Sequence, residues 1–100
     1  MAVTVKISQS GTWVGPTTRR QYSSLSVPNG TNRDTTVSCN AGEVAVGAGY
    51  SWNGETNTSL VVADMYPVGG TPPTGFYFQA RNAKGSGGAT LTCYVVCVSA

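Results

Sequence analysis

The chain has 100 residues with six basic and four acidic side chains, which gives a formal net charge of +2. Charged residues are therefore few, and Gly, Ser, Thr and Asn are common instead. A hydrophobic content of 40% argues against disorder, and so small a net charge gives no reason to expect a nucleic-acid partner. Because histidine is absent and the carboxylates are scattered singly, we expect no enzymatic activity, no cofactor and no metal site.

The N-terminal part of the chain predicts one strand, a long loop and a second, short strand. Apolar and polar residues alternate over residues 3–7, which predicts a strand and not a signal peptide or a membrane span. Residues 8–24 are polar and predict a loop, and loops of this length are usually functional or disordered. Residues 25–27 begin a short strand that a Pro-Asn-Gly turn ends. We therefore expect residues 1–24 to serve as an N-terminal interaction arm.

The strand predicted most clearly covers residues 43–52 and follows a shorter strand at residues 35–39. Its apolar side chains are spaced two residues apart and are expected to face the core. These side chains are Val44, Val46, Ala48, Tyr50 and Trp52. The opposite face is made almost wholly of small residues, which lets a backbone or a large side chain approach closely. We expect tight packing there, and hence a destabilising effect of Gly47→Val.

The rest of the chain predicts further strands separated by turns rich in glycine and proline. Asn53 and Gly54 predict a type I′ turn that leads into a hairpin. The segments that follow are a strand at 60–65, a loop at 69–74, a strand at 76–81, a turn at 85–88 and a strand at 89–98. About seven short strands predict one all-β domain over residues 1–100, an antiparallel β-sandwich of the jelly-roll or immunoglobulin-like type.

Alternation along the last two predicted strands assigns their side chains to faces. In the first of them, Phe76, Phe78 and Ala80 share one face, and Tyr77, Gln79 and Arg81 share the other. In the second, one face carries Leu91, Cys93, Val95 and Cys97.

The three cysteines limit the disulfides that can form. Cys93 and Cys97 are four residues apart on one strand, which separates them by roughly 13 Å at about 3.3 Å per residue. That is too far for a disulfide, so Cys39 pairs with one of them or all three stay reduced. No histidine and no neighbouring cation is present to activate Cys93, so we expect it to be an inert buried thiol.

Four stretches of the sequence resemble a pattern found in small β modules of phage tail or fibre proteins and of secreted bacterial proteins. The first, Val-Ser-Cys-Asn-Ala-Gly-Glu-Val-Ala-Val-Gly-Ala-Gly at residues 37–49, resembles V-S-C-P-A-G-x-V-x-x-G-G-G. Tyr66-Pro67 resembles its S-Y-P element. Residues 75–82 resemble G-W-x-V-x-A-x-N, and residues 91–97 resemble L-T-V-Y-A-V-C.

This resemblance covers roughly residues 35–98 and carries two implications. It implies that Cys97 is the disulfide partner of Cys39 and that Cys93 is an additional thiol. It also implies no catalytic residues. The sequence departs from the pattern at Asn40, where the pattern has proline, and at Cys93, where it has valine.

Four residues are candidates for contact with a partner. Trp13 and Tyr77 have no evident internal apolar face, and for them a contact surface and local packing remain equally open. Arg19 and Arg20 form the one cluster of charge, which is read more readily as solvated loop charge than as a phosphate site.

Together these features favour a non-enzymatic surface protein of a phage virion, and first a capsid decoration protein that stabilises the assembled shell. Its partners would be a capsid or tail protein lattice and further copies of itself, with no nucleic acid and no membrane. The alternative is a carbohydrate-binding adhesin or receptor-binding module of a tail fibre or of a secreted bacterial protein. The expected location is accordingly the virion surface, or else the extracellular space.

Overall fold

The computed structural model describes residues 17–99 and, before them, the backbone of residues 6–7 and 13–14. These residues form strands, turns and loops. None of them belongs to a helix long and apolar enough to cross a membrane. The strands are β1 (Lys6–Ile7), β2 (Trp13–Val14), β3 (Thr17–Val27), β4 (Asn32–Ser38), β5 (Glu43–Ser51), β6 (Leu60–Val68), β7 (Gly75–Asn82) and β8 (Ala89–Ser99).

Six of these strands form two antiparallel three-stranded sheets, and β1 pairs with β2. The first sheet has the order β3-β8-β5, and the second has the order β4-β7-β6. The expectation of an all-β, antiparallel domain is confirmed. Each sheet has its most apolar strand at the centre, because a central strand is paired on both sides and is covered by the other sheet.

The core lies between the two sheets and is built from the inward faces of both. β8 alternates along its length, and its inward residues are all buried, which confirms the face predicted from the sequence. The inward face of β7 is also the predicted one. The buried core residues are Val27, Val37, Ala45, Phe78, Ala80, Leu91, Cys93, Val95 and Cys97.

The prediction of a loop over residues 8–24 is wrong for residues 17–24, which belong to β3. This strand pairs with β8 along its whole length, from Thr17 opposite Ser99 to Val27 opposite Ala89. The inward positions at its start are polar and only half-buried, so the alternation that marks a core strand is missing. Backbone hydrogen bonding to β8 holds these residues in the sheet instead. The other residues of the expected arm lie outside the described residues, apart from the backbone of β1 and β2.

A β-bulge at Val46 overturns the faces predicted for the first part of β5. The register with β8 shifts between Ala45 and Gly47, so Val46 is an extra residue and is 58% exposed. Ala45 therefore faces the core, whereas Gly47 lies on the outer face. Tyr50 was expected in the core and is 47% exposed. Ala48 and Trp52 lie beyond the bulge and are partly buried against the core, as predicted.

The turn at Asn53-Gly54 forms as predicted, but it does not close a hairpin. Both residues have positive φ, 56° and 86°, as a type I′ turn requires. β5 and β6, however, lie in different sheets, and so do β7 and β8. The turn therefore leads the chain across from the first sheet to the second. The loop predicted at residues 69–74 is confirmed, and it joins β6 to its antiparallel neighbour β7.

Candidate functional site

A disulfide joins the two sheets. Cys39 follows the last residue of β4, Cys97 lies in β8, and their Sγ atoms are bonded with the Cα atoms 5.7 Å apart. This is the pair that the sequence resemblance implied. Cys93 is free and buried, and burial raises the pKa of its thiol to about 11. The thiol is therefore protonated at neutral pH and unreactive, in agreement with the sequence analysis.

Arg19 is held in an ion pair beside this disulfide. Its Nη2 donates to Oε1 of Glu43 at 2.7 Å, and its Nε donates to Oε2 at 2.8 Å. The backbone N–H of Asn40 also donates to Glu43, at 2.8 Å. The hydrogen bonds from Arg19 hold the pKa of Glu43 below its usual range, and the pKa of Arg19 is raised in return. The interpretation of Arg19 as solvated loop charge is wrong. Arg19 extends from β3 and Glu43 from β5, and the two side chains form an ion pair across the first sheet.

The same corner contains the one group of metal-ligand types among the described residues. The ligand atoms of Cys39, Glu43 and Cys97 lie within 4.8 Å of one another. The two sulfur atoms are bonded to each other, so neither is available as a thiolate ligand. Glu43 is already engaged by Arg19. In this oxidised state the cluster therefore provides no metal site.

The outer face of the first sheet carries two tyrosine rings and an arginine. Tyr22 and Tyr94 are direct neighbours on β3 and β8, and their ring centroids are 5.6 Å apart. The guanidinium carbon of Arg20 lies 5.3 Å from the centroid of Tyr94, within range of a cation–π interaction. Arg20 is thus placed on a strand and against an aromatic ring, not in a loop.

The outer face of the second sheet carries a second tyrosine pair, and here the rings are surrounded by polar groups. Tyr66 and Tyr77 are direct neighbours on β6 and β7, with ring centroids 4.9 Å apart, and Tyr66 is 44% exposed. The Tyr77 hydroxyl donates to Oδ2 of Asp34 at 3.0 Å. We call this surface the tyrosine face. It comprises Asn32, Asp34, Thr36, Asp64, Tyr66, Tyr77, Gln79 and Arg81.

Two interactions fix the polar groups of the tyrosine face. Burial, the hydrogen bond to Asp34 and the negative charge of that carboxylate all raise the pKa of Tyr77, so its hydroxyl stays protonated and remains a donor. Arg81 donates from Nη1 to Oδ1 of Asn32 at 3.1 Å. This contact uses the amide oxygen of Asn32, so the two donors of its NH₂ group take no part in it.

An open groove of about 610 Å³ adjoins the tyrosine face at the edge of β4. Asn32, Asp34 and Gln79 belong to both the face and the groove, so the two form one continuous surface. We call it the Arg33 groove. Its lining includes Ser26, Pro28, Asn32, Arg33, Asp34 and Gln79. A smaller depression of about 360 Å³, lined by Trp52, Asn53 and Glu55, meets the groove at Ser26.

The four contact residues proposed from the sequence are not brought together. Tyr77 lies on the outer face of the second sheet, Arg20 on that of the first, and Arg19 in the ion pair near the disulfide. Trp13 lies in β2, and its side chain is outside the described residues. Sequence reasoning did not place Tyr66 or Asp34 among the contact residues, although both are neighbours of Tyr77.

A comparison of the chain with protein-family models, with curated proteins and with solved structures finds no match.

Proposed function

We propose that this protein is a non-enzymatic recognition module whose tyrosine face and adjoining groove bind carbohydrate. The observation that carries the proposal is the Tyr66–Tyr77 pair with the Tyr77 hydroxyl oriented by Asp34. It favours the carbohydrate-binding alternative of the sequence analysis over the capsid decoration role. The proposed location is a phage particle or a secreted bacterial protein, on the strength of the sequence resemblance.

The chemistry of the face suits a sugar ring, which has an apolar side of C–H groups and a rim of hydroxyls. A tyrosine ring supplies a rigid apolar surface at low entropic cost, and its hydroxyl supplies a polar contact. Carboxylate and amide groups beside the rings, from Asp34, Asn32 and Gln79, accept from and donate to sugar hydroxyls. The mixture of a few polar groups around aromatic surface is typical of small-molecule sites.

We further infer that the fold is a β-sandwich of the immunoglobulin-like type. If β4 to β8 are read as strands B to F, the second sheet has the order B-E-D and the first contains the neighbours C and F. The disulfide then runs from the end of strand B to strand F, as in antibody domains. In this reading β3 occupies the place beside F that strand G has in those domains. A jelly roll has eight strands in its two sheets, whereas the two sheets of this protein have six. The topology therefore supports a jelly roll less well.

Replacement of single tyrosines tests the carbohydrate proposal. Tyr77→Ala and Tyr66→Ala each remove one ring of the face and should weaken retention on immobilised cello-, chito-, manno- or galacturono-oligosaccharides at least about tenfold. Tyr22→Ala is the matched control, because it removes a ring from the opposite outer face. The unfolding midpoint of each variant shows whether the fold is preserved. Equal losses in all three variants, or no retention of the wild type on any column, would contradict the proposal.

The second candidate function is capsid decoration, and the Arg20–Tyr22–Tyr94 surface favours it. An exposed aromatic and arginine cluster is the composition of a protein–protein contact, and sparse charge lowers the cost of burying the surrounding surface. In this role the module would bind an assembled shell more tightly than its loose subunits, as several copies on a lattice. Co-sedimentation with capsids that is lost in Tyr22→Ala and retained in Tyr77→Ala would favour this function over the first.

A further inference from the structure

We propose that the tyrosine face binds an amino sugar, with the ammonium group of the sugar held between Asp34 and Asp64. The inference rests on the proposed function and deepens it, because it names the class of glycan: one that contains glucosamine or another sugar with a free amine. The second sheet brings two carboxylates and an aromatic pair together on this face, and a protonated amine complements both.

The register of the second sheet places a carboxylate on each side of Gln79. Asp34 is the direct neighbour of Gln79 on β4, and Asp64 is its direct neighbour on β6. At about 4.8 Å between neighbouring strands, the backbones that carry the two carboxylates lie roughly 10 Å apart. The next row of the same face carries Tyr77, with Tyr66 beside it. A ligand group over Gln79 therefore lies between two carboxylates and next to the tyrosine rings.

The charge of the tyrosine face favours a cation. Within residues 17–99 neither Asp34 nor Asp64 has an ion-pair partner. Arg81 is the cation among the residues of the face, and its Nη1 atom donates to Asn32. Arg33 lies opposite a buried alanine, on the inward side of β4. The face therefore carries two negative charges against one positive charge, which attracts a cationic ligand even though the whole chain has a net charge of +2.

Both carboxylates act on a group at the Tyr77 ring. Burial and the hydrogen bond to Asp34 raise the pKa of the Tyr77 hydroxyl, and the negative charges of Asp34 and Asp64 raise it further. Charges that keep a proton on a phenol also favour an ammonium group at the same place. A protonated amine near the Tyr66 and Tyr77 rings is attracted in addition by the negative face of each π-system.

The hydrogen-bond acceptors of the face suit a ligand group that only donates. The Tyr77 hydroxyl donates to Oδ2 of Asp34, so Oδ1 of Asp34 and the lone pairs of the Tyr77 oxygen take no part in this bond. Asp64 brings two more carboxylate oxygens. A protonated amine has three N–H donors and no acceptor, and hydrogen bonds to an ionised partner are about twice as strong as neutral ones. An N-acetylated sugar has one uncharged amide N–H in place of these three donors.

Matched glycans that differ only at the nitrogen atom test the inference. Binding of the full chain is measured by calorimetry to a glucosamine oligosaccharide, to the same oligomer in its N-acetylated form and to a lysine tripeptide. At about pH 6 an amine is protonated and carboxylates are ionised. The wild type should bind the amine form about tenfold more tightly than the N-acetylated form. Asp64→Asn should reduce this preference about threefold, and Asp34→Asn with Asp64→Asn should abolish it while keeping the affinity for the N-acetylated form. Glu55→Gln is the control, since it removes a carboxylate outside the tyrosine face, and the unfolding midpoint of each variant shows whether the fold is preserved.

The outcomes separate the inference from the proposed function. Binding of the N-acetylated form that depends on Tyr77, together with equal affinity of the wild type for the two forms, would overturn the amino-sugar assignment and leave the carbohydrate proposal standing. A preference that persists in the double variant, or that Glu55→Gln removes to the same extent, would overturn the assignment as well. Equally tight binding of the lysine tripeptide would show that the face takes a cation without its sugar, which also contradicts it. Absence of binding to both forms would overturn the inference, and absence of retention on every oligosaccharide column in addition would overturn both proposals.

Discussion

Tyr94 determines which glycine of β5 is costly to replace. Its ring lies against Gly49, where an added Cβ would come within 2.7 Å of Cε2 of the ring. At Gly47 an added Cβ would meet nothing within 4 Å. Tight packing was expected on the face of β5 that carries the small residues. This expectation holds at Gly49 and is wrong at Gly47. The physical reason is the bulge, which leaves the outer surface beside Gly47 open while Tyr94 covers the next outward position.

Gly49→Val should destabilise the protein by about 1–2 kcal/mol, within the usual range for overpacking, because the Tyr94 ring has to move and lose its contacts with Tyr22 and Arg20. Gly47→Val is the matched control and should change stability little, since a β-branched residue suits an open strand position. Urea unfolding of both variants measures the difference. Equal destabilisation by the two substitutions would contradict the role assigned to Tyr94.

At the scale of elements, sequence periodicity assigned the faces of the central strands well and those of the edge strands less well. β7 and β8 bury one face against the opposite sheet, so their alternation is regular and their inward residues were predicted correctly. β3 has polar residues at its first inward positions, and bulges interrupt β5 and β6, so none of these edge strands keeps a simple period of two. The local sequence pattern does not reveal the bulges or the pairing of β3, because both arise from contacts with neighbouring strands.

The candidate site could likewise be predicted only in part from the sequence. Alternation alone placed Tyr77 with Gln79 and Arg81 on one face of β7. The contact of Tyr77 with Asp34 joins residues 43 positions apart, and Tyr66 becomes its neighbour only through the register of β6. Register over such distances follows from the assembled sheet and is not encoded in any short segment.

Deletion of Val46 tests the interpretation of the bulge. Removal of this extra residue leaves Ala45 opposite Cys97 and Gly47 opposite Val96, the pairs that already exist on either side. We expect the variant to fold, at a cost of no more than about 2 kcal/mol. Deletion of Thr35 is the control, because β4 pairs with β7 without a register shift, so the loss of one residue there turns the side chains on one side of the deletion to the other face. Circular dichroism and thermal unfolding compare the two; similar melting of both variants would contradict the bulge assignment.

At the scale of the whole molecule, the disulfide is the covalent link between two small sheets. Cys97 lies in the central strand of the first sheet, and Cys39 follows the edge strand β4 of the second. The bond closes a segment in which the two cysteines are 58 positions apart. Because a domain of this size buries a limited core, a cross-link of that span contributes a large share of the stability.

Replacement of both disulfide cysteines by alanine should lower the free energy of unfolding by about 4 kcal/mol, if the loop-closure account holds. Reductant should weaken the wild type by a similar amount and leave the double variant unaffected. Cys93→Ala is the control: it trims a buried thiol, should cost about 1–2 kcal/mol, and should leave the response to reductant intact. A wild type whose urea midpoint is insensitive to reductant after verified reduction would contradict the assigned role.

The pairing of β3 with β8 also determines when this chain is able to fold. These are the first and last strands of the two sheets, and every pair between them, from Thr17–Ser99 to Val27–Ala89, joins distant parts of the sequence. At about 5–20 residues per second, a ribosome takes on the order of 3–12 s to pass from the end of β3 to the start of β8. During synthesis β3 has no partner, and Cys39 is a thiol without Cys97. High contact order of this kind also slows folding of the released chain, typically to milliseconds or seconds. The native register of β8 then selects Cys97 over Cys93 as the partner of Cys39.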